Sequence, residues 1–541
     1  MKRYLVLILM LALSIPHADA QLFKGWRSKK LPTLTDTVPG AKRLMEVLDK
    51  IESIYVETPN SDKICDDAIR QMLTSLDPHS IYIPAKEVQR TNEALIGNFD
   101  GVGITFNVFN DTIRVNEVLA GGPSEKVGMM HGDKIVRIDS IPCTGDSATS
   151  DFVLRHLRGI KGTMVMVDVL RGKELLTFHI KRDKIPIYSV ETYFMEDDSI
   201  GYIALLRFAR TSVDEFRKAL QALKDQGMTS LILDLRGNSG GYLDIACGLA
   251  NEFIGTGKLM VYQEGRKVKR QNYRANRYGA FRKGGLVVMI DENSASASEI
   301  VSGAVQDWDR GLLVGRRSFG KGLVQTMYPL SDGSQIRLTT ARYYTPTGRC
   351  IQRPYDKGTK DYYLENNKRY RSGELFSADS IHFPDSLKYK TAGGRTVYGG
   401  GGIMPDVFVP LDTTPATKYY QICRRKGVVN QFPQYWADKH RDDSLLANFD
   451  LFIRHYDSLN VEQDFEQFAS EKGVVRDSIQ ETTTDSITQF NDNFLSLQIK
   501  ALIADNLYGR GHYYRVMKSE DRVYQAAVAT LRKNSGSVVR Q

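Results

Sequence analysis

The sequence predicts a multidomain α/β protein with helical regions at both ends, and three observations carry that expectation. The chain has 541 residues, more than one compact domain of ~150 residues accommodates. Between residues 184 and 411, strand-like apolar runs alternate with stretches of helical periodicity, the pattern of an α/β layer domain. Just upstream, residues 98–183 have a different texture, short alternating strands broken by glycine turns.

The first 20 residues, MKRYLVLILMLALSIPHADA, have a basic start, an apolar stretch from Tyr4 to Ile15, and an A-x-A site at Ala18-Asp19-Ala20. This reads as a secretory signal peptide, with the mature chain starting near Gln21. The apolar stretch is shorter than the ~20 residues of a spanning helix, so an exported, periplasmic protein is expected rather than one kept on an N-terminal membrane anchor. No cysteine follows the cleavage site, which argues against lipid attachment. Residues 21–97 form a helical N-terminal region: AKRLMEVLDKIESIY and DAIRQMLTSLDPHS repeat apolar residues at helical spacing, and Asp77-Pro78 stops the second run.

From 98 to 183 the strands GVGITFNVF, TIRVNEVL, KIVRIDS, TMVMVDVLRG and KELLTFHIKR surround one helix, SATSDFVLRHLRG. The core from 184 to 411 opens with the strand SIGYIALLRF and continues through the helix SVDEFRKALQALKDQG, the buried-type strand SLILDL and the helix YLDIACGLANEFI. Then come GGLVVMI, the helix begun in ENSASASEIVSGAVQDW, and strands at LLVGRR, LVQTMYPL and SQIRLTTARYY. Residues 350–395 are polar, tyrosine-rich and read as an insertion. Residues 412–541 are mostly helical, and the helical ends are expected either to pack on the core or to join copies of the chain into a homo-oligomer.

Composition narrows the function class. The chain is 42% hydrophobic and 25% charged, with a net charge of +9. Basic runs such as Arg266-Lys267-Val268-Lys269-Arg270 read as solvated surface, and with no nucleic-acid motif present no nucleic-acid partner is expected. Cys65, Cys143, Cys247, Cys350 and Cys423 are scattered and lack metal-site spacing. They are expected as buried or free thiols, and no metal site is implied.

Two serines compete for a nucleophilic role. Gly237-Asn238-Ser239-Gly240-Gly241 fits G-x-S-x-G between a strand and a helix, yet no histidine stands in a convincing place to serve it. Read otherwise, it is a glycine-rich turn offering backbone N–H groups to an anion. Ser296, in ENSASASEI, follows an apolar strand and precedes a helix whose apolar face runs Ala297, Ile300, Val301, Ala304, Val305 and Trp308. A helix N-terminus has unpaired N–H groups that favour negative charge, although a serine there is often only a cap. Lys321, flanked by glycines in the turn after the next strand, supplies a base if burial favours its neutral amine, so a histidine is not required.

At this point the sequence resembles a family, the C-terminal processing peptidases or tail-specific proteases, S41-type serine peptidases with a Ser/Lys centre. The matching segments are LDLRGNSGG (233–241), SASASE (294–299), FGKGLVQ (319–325) and GGGGIMPD (399–406), together with LDPHS (76–80) and the module at 98–183. The resemblance implies a crotonase/ClpP-like α/β serine peptidase core with an inserted PDZ domain, and it requires no cofactor. It implies Ser296 as nucleophile, Lys321 as base and Gln325 as the residue that orients the lysine. An oxyanion hole follows from the Ala297 amide and that of Gly240 or Gly241. In a strand, positions four apart are separated by ~13 Å, so direct contact between Gln325 and Lys321 predicts a turn over 321–325. The PDZ resemblance implies capture of a terminal carboxylate by the loop Gly101-Val102-Gly103-Ile104, and with it protein or peptide substrates with exposed C-termini. Two other readings stay open, a non-catalytic tail-binding scaffold and a hydrolase that uses Ser239.

Overall fold

The computed structural model describes residues 38–535 apart from 110, 415, 441 and 442; the leader read at residues 1–20 lies outside them. The chain forms two compact units, one up to Ile69 and one from Arg70 onward. The first contains the helix Pro39–Ile54, with proline in its first turn, where a missing N–H costs nothing. Leu44, Met45, Val47 and Ile54 on this helix are exposed.

In the second unit, residues 98–186 fold as a separate small β domain. Its antiparallel sheet runs in chain order: β1 (Ile104–Phe109), β2 (Thr112–Val118), β3 (Lys134–Ile138), β4 (Met164–Arg171) and β5 (Glu174–Lys181). Alternation decides what each strand buries. Val165, Val167 and Val169 of β4 point inward with Ile113, Val115, Ile135 and Ile180 and pack on Val153 of helix α1 (Ser150–Leu157). The segment Asn98–Gly101 pairs with Asp183–Pro186, so the domain leaves and rejoins the core through one two-stranded stem.

The core is a two-faced sheet. Its strands are β6 (Val190–Met195), β7 (Ile200–Leu205), β8 (Ser230–Asp234), β10 (Gly285–Ile290), β11 (Leu312–Gly315) and β14 (Val407–Phe408), in that spatial order. Only the β6–β7 pair is antiparallel. Parallel strands need crossovers, and the helices α2 (Ser212–Asp225), α3 (Leu243–Asn251) and α4 (Ala297–Asp307) provide them. Ile203, Leu205, Leu231, Leu233, Val288 and Ile290 pack on that helical side. Tyr202, Ala204, Ile232, Val287 and Met289 face the other way, onto Val523, Tyr524, Ala527, Val528 and Leu531 of the helix Arg522–Ser535. Burial on both faces is why these strands read as unbroken apolar runs. A second sheet has β13 (Gln335–Tyr344) at its centre, paired with β12 (Leu323–Pro329), β9 (Leu259–Glu264) and Ile81–Ile83.

The helical C-terminal region divides between two tasks. The helix Arg522–Ser535 covers the second face of the parallel sheet. Residues 419–517 build their own core around Phe432, Trp436, Phe452, Phe465, Leu495 and Ile499, with the Trp436 indole donating to Asp464 at 2.8 Å. The helix α5 (Val428–His440) of this region reaches the small β domain. Asp438 takes the Arg114 guanidinium of β2 and lies 2.8 Å from His131 Nε2, while Asn107 of β1 donates to Gln434 at 3.0 Å. All five cysteines are free thiols, three of them buried.

Burial acts to raise the Asp438 carboxyl, but the bonds from His131 and Arg114 outweigh it and hold the group below its ordinary range. The depressed pKa makes this contact strongest above the carboxylate range and weaker as pH falls through it. Asp438→Ala leaves Arg114 without its acceptor and is expected to weaken the docking by about 1–3 kcal/mol. Hydrogen exchange provides the check: amides at 104–118 and 428–440 should exchange faster while those of β7, β8 and β10 do not change. Equal protection at 104–118 in both proteins would refute it.

Candidate active site

The site forms where β8, β10 and β11 end, the usual place for function in a parallel sheet. After β10, Asp291 accepts the N–H groups of Gly237 (2.9 Å), Asn293 (3.1 Å) and Ser294 (3.0 Å), joining the turn after β8 to the turn after β10. Two of the three alternating serines are fasteners. Ser294 Oγ donates to Leu235 O and Ser298 Oγ to Asn238 O, both at 2.8 Å.

Ser296 has neither the setting nor the backbone of a fastener. It caps α4 with φ 55° and ψ −110°, a region that costs a non-glycine residue about 1–3 kcal/mol. Three contacts enforce it. Its N–H donates to Glu299 at 2.8 Å, its carbonyl lies 3.0 Å from the Tyr343 hydroxyl, and Gly240 backs onto it. A Cβ on Gly240 would stand 2.8 Å from Ser296 Cβ and 3.0 Å from Ala297 N, and Gly240 itself has φ +104°. Its N–H is occupied, donating to Asn238 Oδ1 at 2.9 Å. The N–H groups of Gly241 and Ala297 have no acceptor among the described residues.

The turn carrying Lys321 is tied to the same helix. Glu299 accepts from Ser318 Oγ (2.6 Å), Gly320 N (2.7 Å) and Lys321 N (2.9 Å). The Tyr343 hydroxyl is 2.6 Å from Lys321 O. Residues read as an insertion hold the turn from behind. The guanidinium of Arg353 lies between the rings of Phe319 and Tyr362, at 3.8 and 3.9 Å, and Arg369 donates to Ser318 O at 2.8 Å. Ser239, Gly240, Gly241, Ser296, Ala297, Lys321 and Gln325 thus come to line one cavity of about 280 Å³.

The match to known proteins follows this geometry. Residues 199–361 match peptidase family S41, residues 101–181 match the PDZ domain, and residues 419–509 match a family of unknown function. The carboxy-terminal-processing protease of Bartonella bacilliformis is 34% identical over 316 residues, 57% of this chain and 72% of that protein. The carboxy-terminal processing protease CtpA of Bacillus subtilis is 32% identical over 391 residues, 69% of this chain and 82% of that one. The chain belongs to the carboxy-terminal processing proteases of peptidase family S41. Among solved structures it is similar to a photosystem II D1 C-terminal processing protease, at 25% identity and TM-score 0.35 over 69% of this chain and 93% of that one.

The charge state of Lys321 in this protease follows from its surroundings. Burial, and after it the Arg337 guanidinium, push its ammonium down to about 8, while Glu299 and Asp77 act the other way. The amine makes no hydrogen bond or ion pair among the described residues. No histidine lines the cavity. His79 of LDPHS comes near, but its Nε2 is 2.8 Å from the Tyr362 hydroxyl, and burial, then Lys321, push it down to about 3. It is a neutral ring in a hydrogen-bonded wall.

The turn expected over 321–325 does not form. Residues from Leu323 are strand β12, and the register slips so that Val324 pairs with Ala341 and Gln325 with Thr339. The bulge leaves Leu323, Val324 and Gln325 all lining the cavity, against the alternation of a regular strand. Gln325 donates to Thr339 Oγ1 at 3.2 Å, with no direct bond to Lys321. In the protease's PDZ domain, Gly103 has φ 76°, and the N–H groups of Val102 and Gly103 have no acceptor among the described residues. Gly101 lies in the stem and Ile104 opens β1, whose outer edge has no partner strand among the described residues.

Glu299 and Asp77 stand in the matching segments SASASE and LDPHS without a role read from the sequence, and Tyr343 stands in none of them. Glu299 had a local signal, since Ser296-x-x-Glu299 is a capping-box pattern; the contact of Asp77 with Thr339 and that of Tyr343 with both turns arise only through the fold. Gly240→Ala places a methyl group against Ser296 and forces a side chain onto a left-handed backbone. It is expected to lower peptide cleavage by about 100-fold with the circular dichroism spectrum retained, as a kcat assay on purified protein will test.

Proposed function

We propose that this protease is exported to the periplasm, captures C-terminal tails of polypeptides on its PDZ domain and cuts them with Ser296 as nucleophile and Lys321 as general base. The observation that carries the reading is the content of one cavity. It holds a strained serine at a helix N-terminus, a lysine with its pKa near 8 and no hydrogen-bond partner among the described residues, and two amides with no acceptor among them.

Neutral Lys321 takes the Ser296 hydroxyl proton as Oγ bonds to the substrate carbonyl carbon. The carbonyl oxygen becomes an oxyanion and accepts the N–H groups of Ala297 and Gly241. Gly241 is preferred over Gly240 because the latter's N–H is already committed to Asn238. One such donor contributes ~3–4 kcal/mol to the transition state. The Lys321 ammonium then protonates the departing amine, the peptide C–N bond breaks and an acyl-serine remains. Water enters by the same proton route and frees the carboxylate and Ser296. Leu243, Ile300, Leu323, Val324 and Met327 line the cavity, which favours an apolar substrate side chain beside the cut bond. Tail capture rests on β1, whose free edge suits strand addition, and on the amides of Val102 and Gly103 for the terminal carboxylate. Export rests on the basic, apolar and A-x-A pattern of residues 1–20.

The exposed Ser239 lines the same cavity and supports one second reading, in which it is the nucleophile. Mass spectrometry of an unstructured peptide separates the two. Ser296→Ala and Lys321→Ala should each abolish cleavage, and Ser239→Ala should retain it; the reverse pattern for the serines would transfer the role to Ser239. The base must be neutral, so kcat/KM should climb about tenfold per pH unit below about 8 and level off above it. A flat profile from pH 6 to 9 would eliminate Lys321 as the base.

A further inference from the structure

Asp77, in a turn far upstream of Lys321 in sequence, lies behind Gln325 with one side chain, Thr339, between them. It is buried. Its Oδ1 accepts the N–H groups of His79 (2.8 Å) and Ser80 (2.9 Å), and its Oδ2 accepts the Ser80 hydroxyl at 2.6 Å. Ser80 Oγ in turn accepts the Thr339 N–H at 3.0 Å. The Thr339 hydroxyl reaches Asp77 Oδ1 at 3.1 Å, and Gln325 Nε2 lies 3.2 Å from that same hydroxyl.

The direction of each bond follows from what the groups can give. A carboxylate only accepts, so the single Thr339 hydroxyl proton is committed to Asp77. The Thr339 oxygen then faces Gln325 with a lone pair and needs a donor there, which is the amide NH2. A reversed amide would set two acceptors against each other. The Gln325 carbonyl oxygen is therefore the atom left over, without a hydrogen bond among the described residues, on a side chain that lines the cavity with Lys321.

We propose that Asp77 and Thr339 are positioning residues for the protease reaction: through a one-way hydrogen-bond relay they fix the Gln325 amide so that its carbonyl oxygen, and not its NH2, is presented to Lys321. The structure leaves the amine without a hydrogen-bond partner among the described residues; as the substrate is engaged, an acceptor at that place takes one N–H of the neutral amine and turns its lone pair toward Ser296. It also favours the ammonium formed when the proton arrives. The bulge at Thr339–Ala341 brings the relay to Gln325, and the LDPHS turn supplies its acceptor end. Other groups acting on Lys321 are Arg337, whose guanidinium opposes its charge, and Glu299, which supports it; neither contacts Thr339 or Gln325 through a hydrogen bond.

The inference rests on the Ser296/Lys321 reading, and the test separates the two. Thr339→Val keeps the shape and removes the relay. Full-length protein carrying it should lose about 10–100-fold in kcat, with KM within about twofold of wild type. The acid limb of its pH profile should move down by about half a unit or more, because the ammonium loses its acceptor. Thr339→Ser should restore both. Asp77→Ala, which removes the acceptor of the Thr339 proton, carries the same expectation for kcat and serves if Thr339→Val is insoluble; its acid limb moves down further, because the Asp77 charge that supports the Lys321 ammonium is lost as well. In a Gln325→Met background Thr339→Val should have no further effect. Wild-type kcat and pH limb in both variants would overturn the proposal, as would a fall in kcat with an unmoved limb or without rescue by serine. Ser296→Ala and Lys321→Ala, run alongside, report on the underlying reading. Cleavage retained in either defeats that reading and the relay together, whereas their inactivity beside a wild-type Thr339→Val defeats the relay alone.

Discussion

Glu299 is completely buried and receives four donors, the N–H groups of Ser296, Gly320 and Lys321 and the hydroxyl of Ser318. Burial drives its carboxyl upward and those four bonds act against that rise. Two turns from different crossovers, one with the strained serine and one with the lysine, are held in register by this single side chain. A buried carboxylate is tolerated only when its lone pairs are filled, so the geometry of the two turns and the presence of the acid depend on each other. Tyr343 repeats the connection from the second sheet, with its hydroxyl near the carbonyls of both Ser296 and Lys321.

How much of this was legible in the sequence depends on the range over which each signal acts. The alternation of apolar runs and helical periodicity is local, and it is enough to carry the multidomain α/β class. Ser296, Ala297, Gly240, Gly241 and Lys321 stood in motifs that meet in one cavity. The turn expected at 321–325 failed because the relevant irregularity belongs to a strand pair. The register slip lies opposite β13, a strand distant from Lys321's own turn in sequence, and no pattern within five residues carries that information. Residues 350–395 looked like an insertion because they are polar, yet Arg353 and Arg369 use their charge to hold carbonyl oxygens of the lysine turn. Polarity marked them as an insertion; the fold made them a backing plate for the lysine turn.

The small β domain is attached at two places of different character. Its stem is a pair of backbone-bonded segments, and its contact with α5 is built from side chains, with Asp438 between Arg114 and His131. Polar contacts of this kind exchange readily with water, whereas a dry apolar seam does not. The region matching a family of unknown function is thus, in this protein, the element that the β domain leans on. The contact uses the Asn107 side chain of β1, the strand whose outer edge has no partner strand among the described residues.

The helix Arg522–Ser535 lies on the sheet face formed by Tyr202, Ala204, Ile232, Val287 and Met289. Without this helix that face has no apolar cover, and the sheet beneath the serine and lysine turns is packed on one side alone. Contacts between such distant stretches of chain close slowly. Closure of the sheet that carries the serine and lysine turns is therefore a long-range step, coupled to a helix remote from both turns in sequence.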